Sequence, residues 1–76
     1  MDVILPKWGM TMQEGTIVEW LVKVGDSVTE GQAIAVIETE KVEAQIEAPG
    51  DGVISELLVE AGDDAEVGSV IARLRQ

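Results

Sequence analysis

The sequence predicts an all-β fold: a flattened barrel or sandwich of two similar halves, each of about four short strands, related by an approximate two-fold axis. Three observations carry that expectation. A glycine-punctuated pattern repeats at an offset of 37 residues. Val42, Ala44, Ile46 and Ala48 alternate with Glu43, Gln45 and Glu47, the period-2 pattern of a strand with one buried face. No stretch combines a helical period with helix caps.

The repeat is the strongest of the three. Gly15-Thr16-Ile17-Val18-Glu19-Trp20-Leu21-Val22-Lys23-Val24-Gly25-Asp26 is echoed by Gly52-Val53-Ile54-Ser55-Glu56-Leu57-Leu58-Val59-Glu60-Ala61-Gly62-Asp63. The same offset relates Gly31 to Gly68, Ile34 to Ile71 and Ala35 to Ala72. Ten of the 23 positions in residues 15–37 are identical in the second copy, far beyond chance. Six of the eight glycines fall in the matched set. Glycine supplies the positive φ that tight turns require, so both copies are expected to turn at the same places.

Taken in order, Leu5-Pro6 corresponds to Ala48-Pro49 at an offset of 43, so the first copy holds six extra residues before Gly15. They fall within residues 7–14, expected as a surface loop of the kind that carries recognition on a rigid scaffold. The plainer alternative has Trp8, Met10 or Met12 folding back to seal one end of a small core. Strands are expected at residues 16–24, 33–37, 42–48, 53–59 and 70–74, separated by Gly-Asp and Glu-x-Gly turns. Pro49-Gly50-Asp51-Gly52 is a turn cluster. Thr39-Glu40-Lys41-Val42 is short enough for a tight turn, without the Asn-Gly signal of the commonest hairpins.

Composition narrows the function classes. A chain of 76 residues is one small domain, residues 1–76, with a limited core. At 46% hydrophobic and 26% charged it is globular in character. A formal charge of −10 argues against nucleic acid and anionic membrane as partners, since phosphates are held by clustered Lys and Arg. No run approaches the ~20 apolar residues of a membrane span, and residues 1–6 lack the basic stretch that opens a signal peptide. Cysteine and histidine are absent, which excludes disulfides, Cys/His zinc sites and the Ser-His and Cys-His nucleophile pairs. Freestanding catalysis is therefore not expected. Paired carboxylates remain as acid–base candidates, but fifteen scattered acids read more simply as solvated surface.

One basic residue stands apart. Lys41 is the only Lys or Arg between Val24 and Ala72, a span holding twelve of the fifteen acids. Such a cation is ordinarily a solubilising surface residue. The repeat gives this one a defined place, at the junction of the two copies and the tip of a hairpin, where its amine is presented for covalent modification. A two-fold axis maps that junction onto the meeting point of the C- and N-termini. Lys41 is thus expected at the pole opposite both chain ends, which suits a carrier tethered through a terminus.

The residues resemble the lipoyl domains of 2-oxo acid dehydrogenase acyltransferases (E2 components) over essentially the whole chain. The matching features are Leu5-Pro6, Met12 with Glu14-Gly15-Thr16-Ile17, and Trp20 before Val24-Gly25-Asp26. They continue through Glu30-Gly31 and Glu38-Thr39-Glu40-Lys41 to Ala48-Pro49 and Gly52. The resemblance implies a flattened barrel-sandwich of two four-stranded antiparallel sheets, with lipoic acid in amide linkage on Lys41. The commonest motif of the family has Asp and Ala flanking the lysine where this chain has Glu40 and Val42, so the preferred ligase and complex stay open. Biotin-carrying relatives usually have methionines at both flanks, which favours lipoate here.

By the same resemblance the domain is itself non-catalytic. A thiamine-diphosphate decarboxylase (E1), the E2 acyltransferase core, a dihydrolipoyl dehydrogenase (E3) and a lipoate ligase are its implied partners. Its implied compartment is the bacterial cytoplasm or the mitochondrial matrix. Partner recognition is expected from Glu38, Thr39, Glu43, Trp8, Met10 and Glu14, with Glu40 and Val42 flanking the attachment point. Glu38, Glu40 and Glu43 would steer the tip toward basic entrances; the bland alternative is that they only keep the protein soluble. Gln76 ends the sequence without the Ala/Pro-rich linker expected in a whole acyltransferase, leaving an excised N-terminal domain and a freestanding carrier both open. The competing classes are a biotinyl carrier domain of a carboxylase and an unmodified barrel-sandwich interaction module.

Overall fold

A computed structural model describes residues 1–6, 13–40 and 42–76. Among them are eight strands and no helix: β1 (Asp2–Ile4), β2 (Glu14–Trp20), β3 (Ser27–Val28), β4 (Ala33–Glu38), β5 (Glu43–Glu47), β6 (Gly52–Leu57), β7 (Asp64–Glu66) and β8 (Val70–Arg75). They form two four-stranded sheets, in the orders β1-β8-β6-β3 and β5-β4-β2-β7, with every pairing antiparallel. The sheets pack as a sandwich and do not close into a barrel.

The five strands expected from periodicity are present, with shifted ends. The first stops at Trp20 rather than running to residue 24, because the chain then turns to cross to the other sheet. β5 begins at Glu43 because Val42 belongs to the turn before it. Strands β1, β3 and β7, of two or three residues each, carry too little sequence to display an alternation.

The duplication is visible in the hydrogen bonds. Moving β2, β3 and β4 forward by 37 residues gives β6, β7 and β8, and the two sheet orders map onto each other. The Gly25 N–H donates to the Ile54 carbonyl at 2.8 Å, and the equivalent Gly62 N–H donates to the Ile17 carbonyl at 2.6 Å. Ile54 and Ile17 return bonds to the Asp26 and Asp63 carbonyls, both at 2.9 Å. Each copy's turn thus bonds to the other copy's central strand, and the halves interlock. Gly25 and Gly62 adopt φ of 97° and 94°, which a Cβ disfavours. Gly52 is needed for another reason: a Cβ there would lie 2.9 Å from the Arg75 carbonyl oxygen.

The core repeats as well. Ile17 and Ile54, and Ile34 and Ile71, are symmetry-related, and with Leu5 and Ile37 they are the largest fully buried side chains among the described residues. Burying each is worth roughly 1.5–3 kcal/mol against leaving it in water. Trp20 packs on this cluster and its indole N–H donates to the Val59 carbonyl at 3.0 Å.

Strand directions fix the two poles. β6 starts beside Arg75, near the chain ends, where Met1 and Leu74 exchange reciprocal main-chain bonds of 2.8 Å. It ends at Leu57, and the following turn delivers β7 opposite Thr16, which also pairs with Glu38 at the close of β4. The β4–β5 tip therefore lies at the end of the sandwich away from both termini, as the two-fold expectation requires.

Candidate functional site

The candidate site is the tip of the β4–β5 hairpin. Its ladder runs from Ala33↔Glu47 to the last rung, Glu38↔Glu43, and alternation along it sends Ile37 and Ala44 inward and Glu38 and Glu43 outward. Beyond that rung the Thr39 N–H donates to the Val42 carbonyl at 2.8 Å. The Thr39 hydroxyl donates to the same carbonyl at 3.1 Å and accepts the Val42 N–H at 3.2 Å. Glu40 is exposed and Val42 is 50% exposed. Residue 41 lies between them in the chain. Lys41 itself falls outside the described residues, as do the recognition candidates Trp8 and Met10 and the loop alternatives built on residues 7–12.

The expected acidic residues that are described gather at this pole. Glu38 and Glu43 oppose each other, and Glu38 also pairs with Thr16 on β2. Thr16 donates its hydroxyl to Asp64 Oδ1 at 2.6 Å. Glu14 opposes Glu66 one strand over, past the end of β4. Side chains directly opposite across a ladder sit about 5 Å apart, so like charges there repel. Thr16 and Asp64 escaped the sequence reading, since only non-local pairing puts β2 and β7 beside Glu38.

The symmetry-related positions carry different charge. Where β4 has Val36 and Glu38, β8 has Arg73 and Arg75. Arg73 lies 3.4 Å from both Asp2 and Glu56, so those two acids share one cation. One backbone plan thus carries acids at the hairpin pole and arginines near the termini, giving the domain a lengthwise charge asymmetry.

Among the described residues no polar or charged side chain is buried, and no three His, Cys, Asp or Glu are grouped to hold a metal. A shallow groove of about 280 Å³ runs between edge strands β1 and β5 and is walled by Val3, Ile4, Ile46, Pro6 and Pro49. What the tip offers is a two-strand stalk ending in exposed flanks. That fits a covalently attached arm, which needs an open exit.

Comparison with known proteins agrees. The family model for biotin and lipoyl attachment, described as "Biotin-requiring enzyme", matches residues 1–74. The dihydrolipoyllysine-residue succinyltransferase component of the 2-oxoglutarate dehydrogenase complex of Staphylococcus saprophyticus is 46% identical over 71 residues, 93% of this chain. The acetyltransferase component of the acetoin cleaving system of Bacillus subtilis is 42% identical over 69 residues, 91% of this chain. The chain spans 17% of the length of each of these relatives. The solution structure of the lipoyl domain of the Azotobacter vinelandii 2-oxoglutarate dehydrogenase complex superposes with a TM-score of 0.81 at 32% identity, covering 100% of this chain and 96% of that one.

Proposed function

The chain belongs to the biotin/lipoyl attachment family and folds as its lipoyl domains do, and on that premise we propose that it is a swinging-arm carrier whose Lys41 bears lipoic acid. The observation that carries this reading is the exposed tip of the β4–β5 hairpin at the pole away from the chain ends. Attachment converts the lysine ammonium to an amide. The amine, in its neutral form, attacks lipoate activated by a ligase as the acyl adenylate; the C–N bond forms, AMP leaves and the amine gives up a proton.

Once attached, the group supplies a strained disulfide that accepts an acyl group together with two electrons. The protein supplies everything else. The β4–β5 ladder ends in an exposed tip, where Glu40 and Val42 offer flanks that a ligase can contact. Tethering through a terminus would raise the effective concentration of the tip at each partner. The acids Glu14, Glu38, Glu40, Glu43, Asp64 and Glu66 would draw the tip toward basic entrances. The partners of this reading are an E1 decarboxylase, an E2 acyltransferase core and an E3 dehydrogenase, serving a 2-oxo acid or acetoin complex. The domain performs none of their chemistry. The names of its relatives support this reading.

Incubation with lipoate ligase, lipoate and ATP, followed by peptide mass spectrometry, tests it. One lipoyl group is expected on the peptide containing Lys41 and none on Lys7 or Lys23. Modification elsewhere, or none in the wild-type domain, refutes it. Biotin ligase in parallel separates lipoate from biotin.

A further inference from the structure

We infer that Thr39 is a positioning residue for the attachment reaction: its hydroxyl clamps the two ends of the hairpin turn, Thr39 and Val42, in the closed form that a ligase accepts. The inference rests on the reading of Lys41 as the attachment point. In a two-residue hairpin the residues flanking the loop exchange two main-chain bonds. Here the Thr39 N–H makes the first, to the Val42 carbonyl at 2.8 Å. The second partner is a side chain, since the Val42 N–H points at Thr39 Oγ1, 3.2 Å away. The same oxygen donates to the Val42 carbonyl at 3.1 Å. One hydroxyl therefore grips both polar main-chain groups of Val42, and the turn is closed from one side chain.

The clamp has a local opponent. Glu38 and Glu43 face each other on the rung just below the turn, and like charges directly opposite push strands apart. The turn also lacks the Asn-Gly or Asp-Gly pair that closes a hairpin through backbone preference alone. A half-buried threonine, β-branched and stiff at χ1, supplies the missing constraint. Removing the hydroxyl leaves the strands paired by their remaining rungs but lets the last turn sample open forms. A ligase that binds only the closed form then sees a smaller competent fraction. That raises the apparent KM for the domain and leaves kcat unchanged.

The test compares Thr39→Val, which keeps the shape, Thr39→Ala and Thr39→Ser, which keeps the oxygen. Three quantities are read: thermal midpoint, amide exchange at Val42, and steady-state kinetics of lipoate transfer. Thr39→Val and Thr39→Ala are expected to keep the wild-type midpoint within a few degrees. Both should speed Val42 exchange and raise KM by about twofold or more, up to a ceiling of about tenfold, the full factor carried by one hydrogen bond of ordinary net strength. Thr39→Ser should return both to within about twofold of wild type. Wild-type kinetics in Thr39→Val and Thr39→Ala, or a fall in kcat at constant KM, overturns the inference while leaving Lys41 as the attachment site. If the wild-type domain takes no lipoate, the attachment reading falls and this inference with it.

Discussion

Replacing Gly25 or Gly62 by alanine isolates the backbone cost of the duplicated turn. Both residues sit at strongly positive φ, 97° and 94°, and a Cβ built on either meets nothing within 4 Å. Steric overlap with neighbours therefore contributes nothing, and the penalty is that of the left-handed region for an L residue, about 1–2 kcal/mol. A domain of this length is stable by roughly 4–11 kcal/mol, so each variant still folds. Its thermal midpoint should fall by about 4–15 °C. The two turns lie at opposite poles, so their costs should match and add within about 0.5 kcal/mol in the double variant. Urea unfolding followed by circular dichroism reads this directly, with an unchanged m value marking an effect on stability rather than on compactness. Asparagine, which tolerates positive φ better than alanine, should recover part of the loss at either site. Gly52→Ala serves as the contrast: there the Cβ would lie 2.9 Å from a main-chain oxygen, so the cost comes from pushing β6 off β8 and asparagine should be worse than alanine. Alanine variants within 0.3 kcal/mol of wild type at Gly25 and Gly62, where about 1–2 is expected, would refute the reasoning. So would costs that differ widely between the two sites.

Other perturbations address the core, the tryptophan and the acidic pole. Ile37→Ala, at a fully buried position next to the tip, should cost about 2–5 kcal/mol, the largest loss of the set, and lower the thermal midpoint by roughly 10 °C or more, read by calorimetry. Trp20→Phe removes the indole bond to Val59 and should cost about 0.5–1.5 kcal/mol beyond any packing change, measured in the same urea titration. Glu38→Gln relieves the opposed pair with Glu43 and should raise stability by a few tenths of a kcal/mol at low salt. The same variant should slow association with a basic partner, and both effects should fade as salt is added. Lys41→Ala should leave the thermal midpoint unchanged within what about 0.5 kcal/mol produces, while abolishing attachment.

The order of amino acids by itself determined the duplication, the positions of its turns and the hairpin that joins the copies. Those features are local or periodic: glycines at Gly25, Gly31, Gly62 and Gly68 permit the positive φ that a tight turn needs, and alternation over residues 43–47 selects one buried face without reference to any partner. The quasi-symmetry even foretold that the hairpin and the chain ends occupy opposite poles. Strands β1, β3 and β7 were beyond its reach. Segments of two or three residues become strands only when a neighbouring strand offers a ladder, and that neighbour is distant in sequence. The same holds at the site. Glu38, Glu40 and Glu43 could be read as an acidic surround, but the pairing of Glu38 with Thr16, the Thr16–Asp64 bond and the opposed Glu14 and Glu66 depend on which edges meet. The Thr39 clamp was equally hidden, because a hydroxyl reveals its partner only once the chain has reversed. Sequence sets what each residue can do through its own conformational freedom and polarity; tertiary pairing decides which residues meet, because hydrogen bonds and charge repulsion act only across the short distances that folding creates.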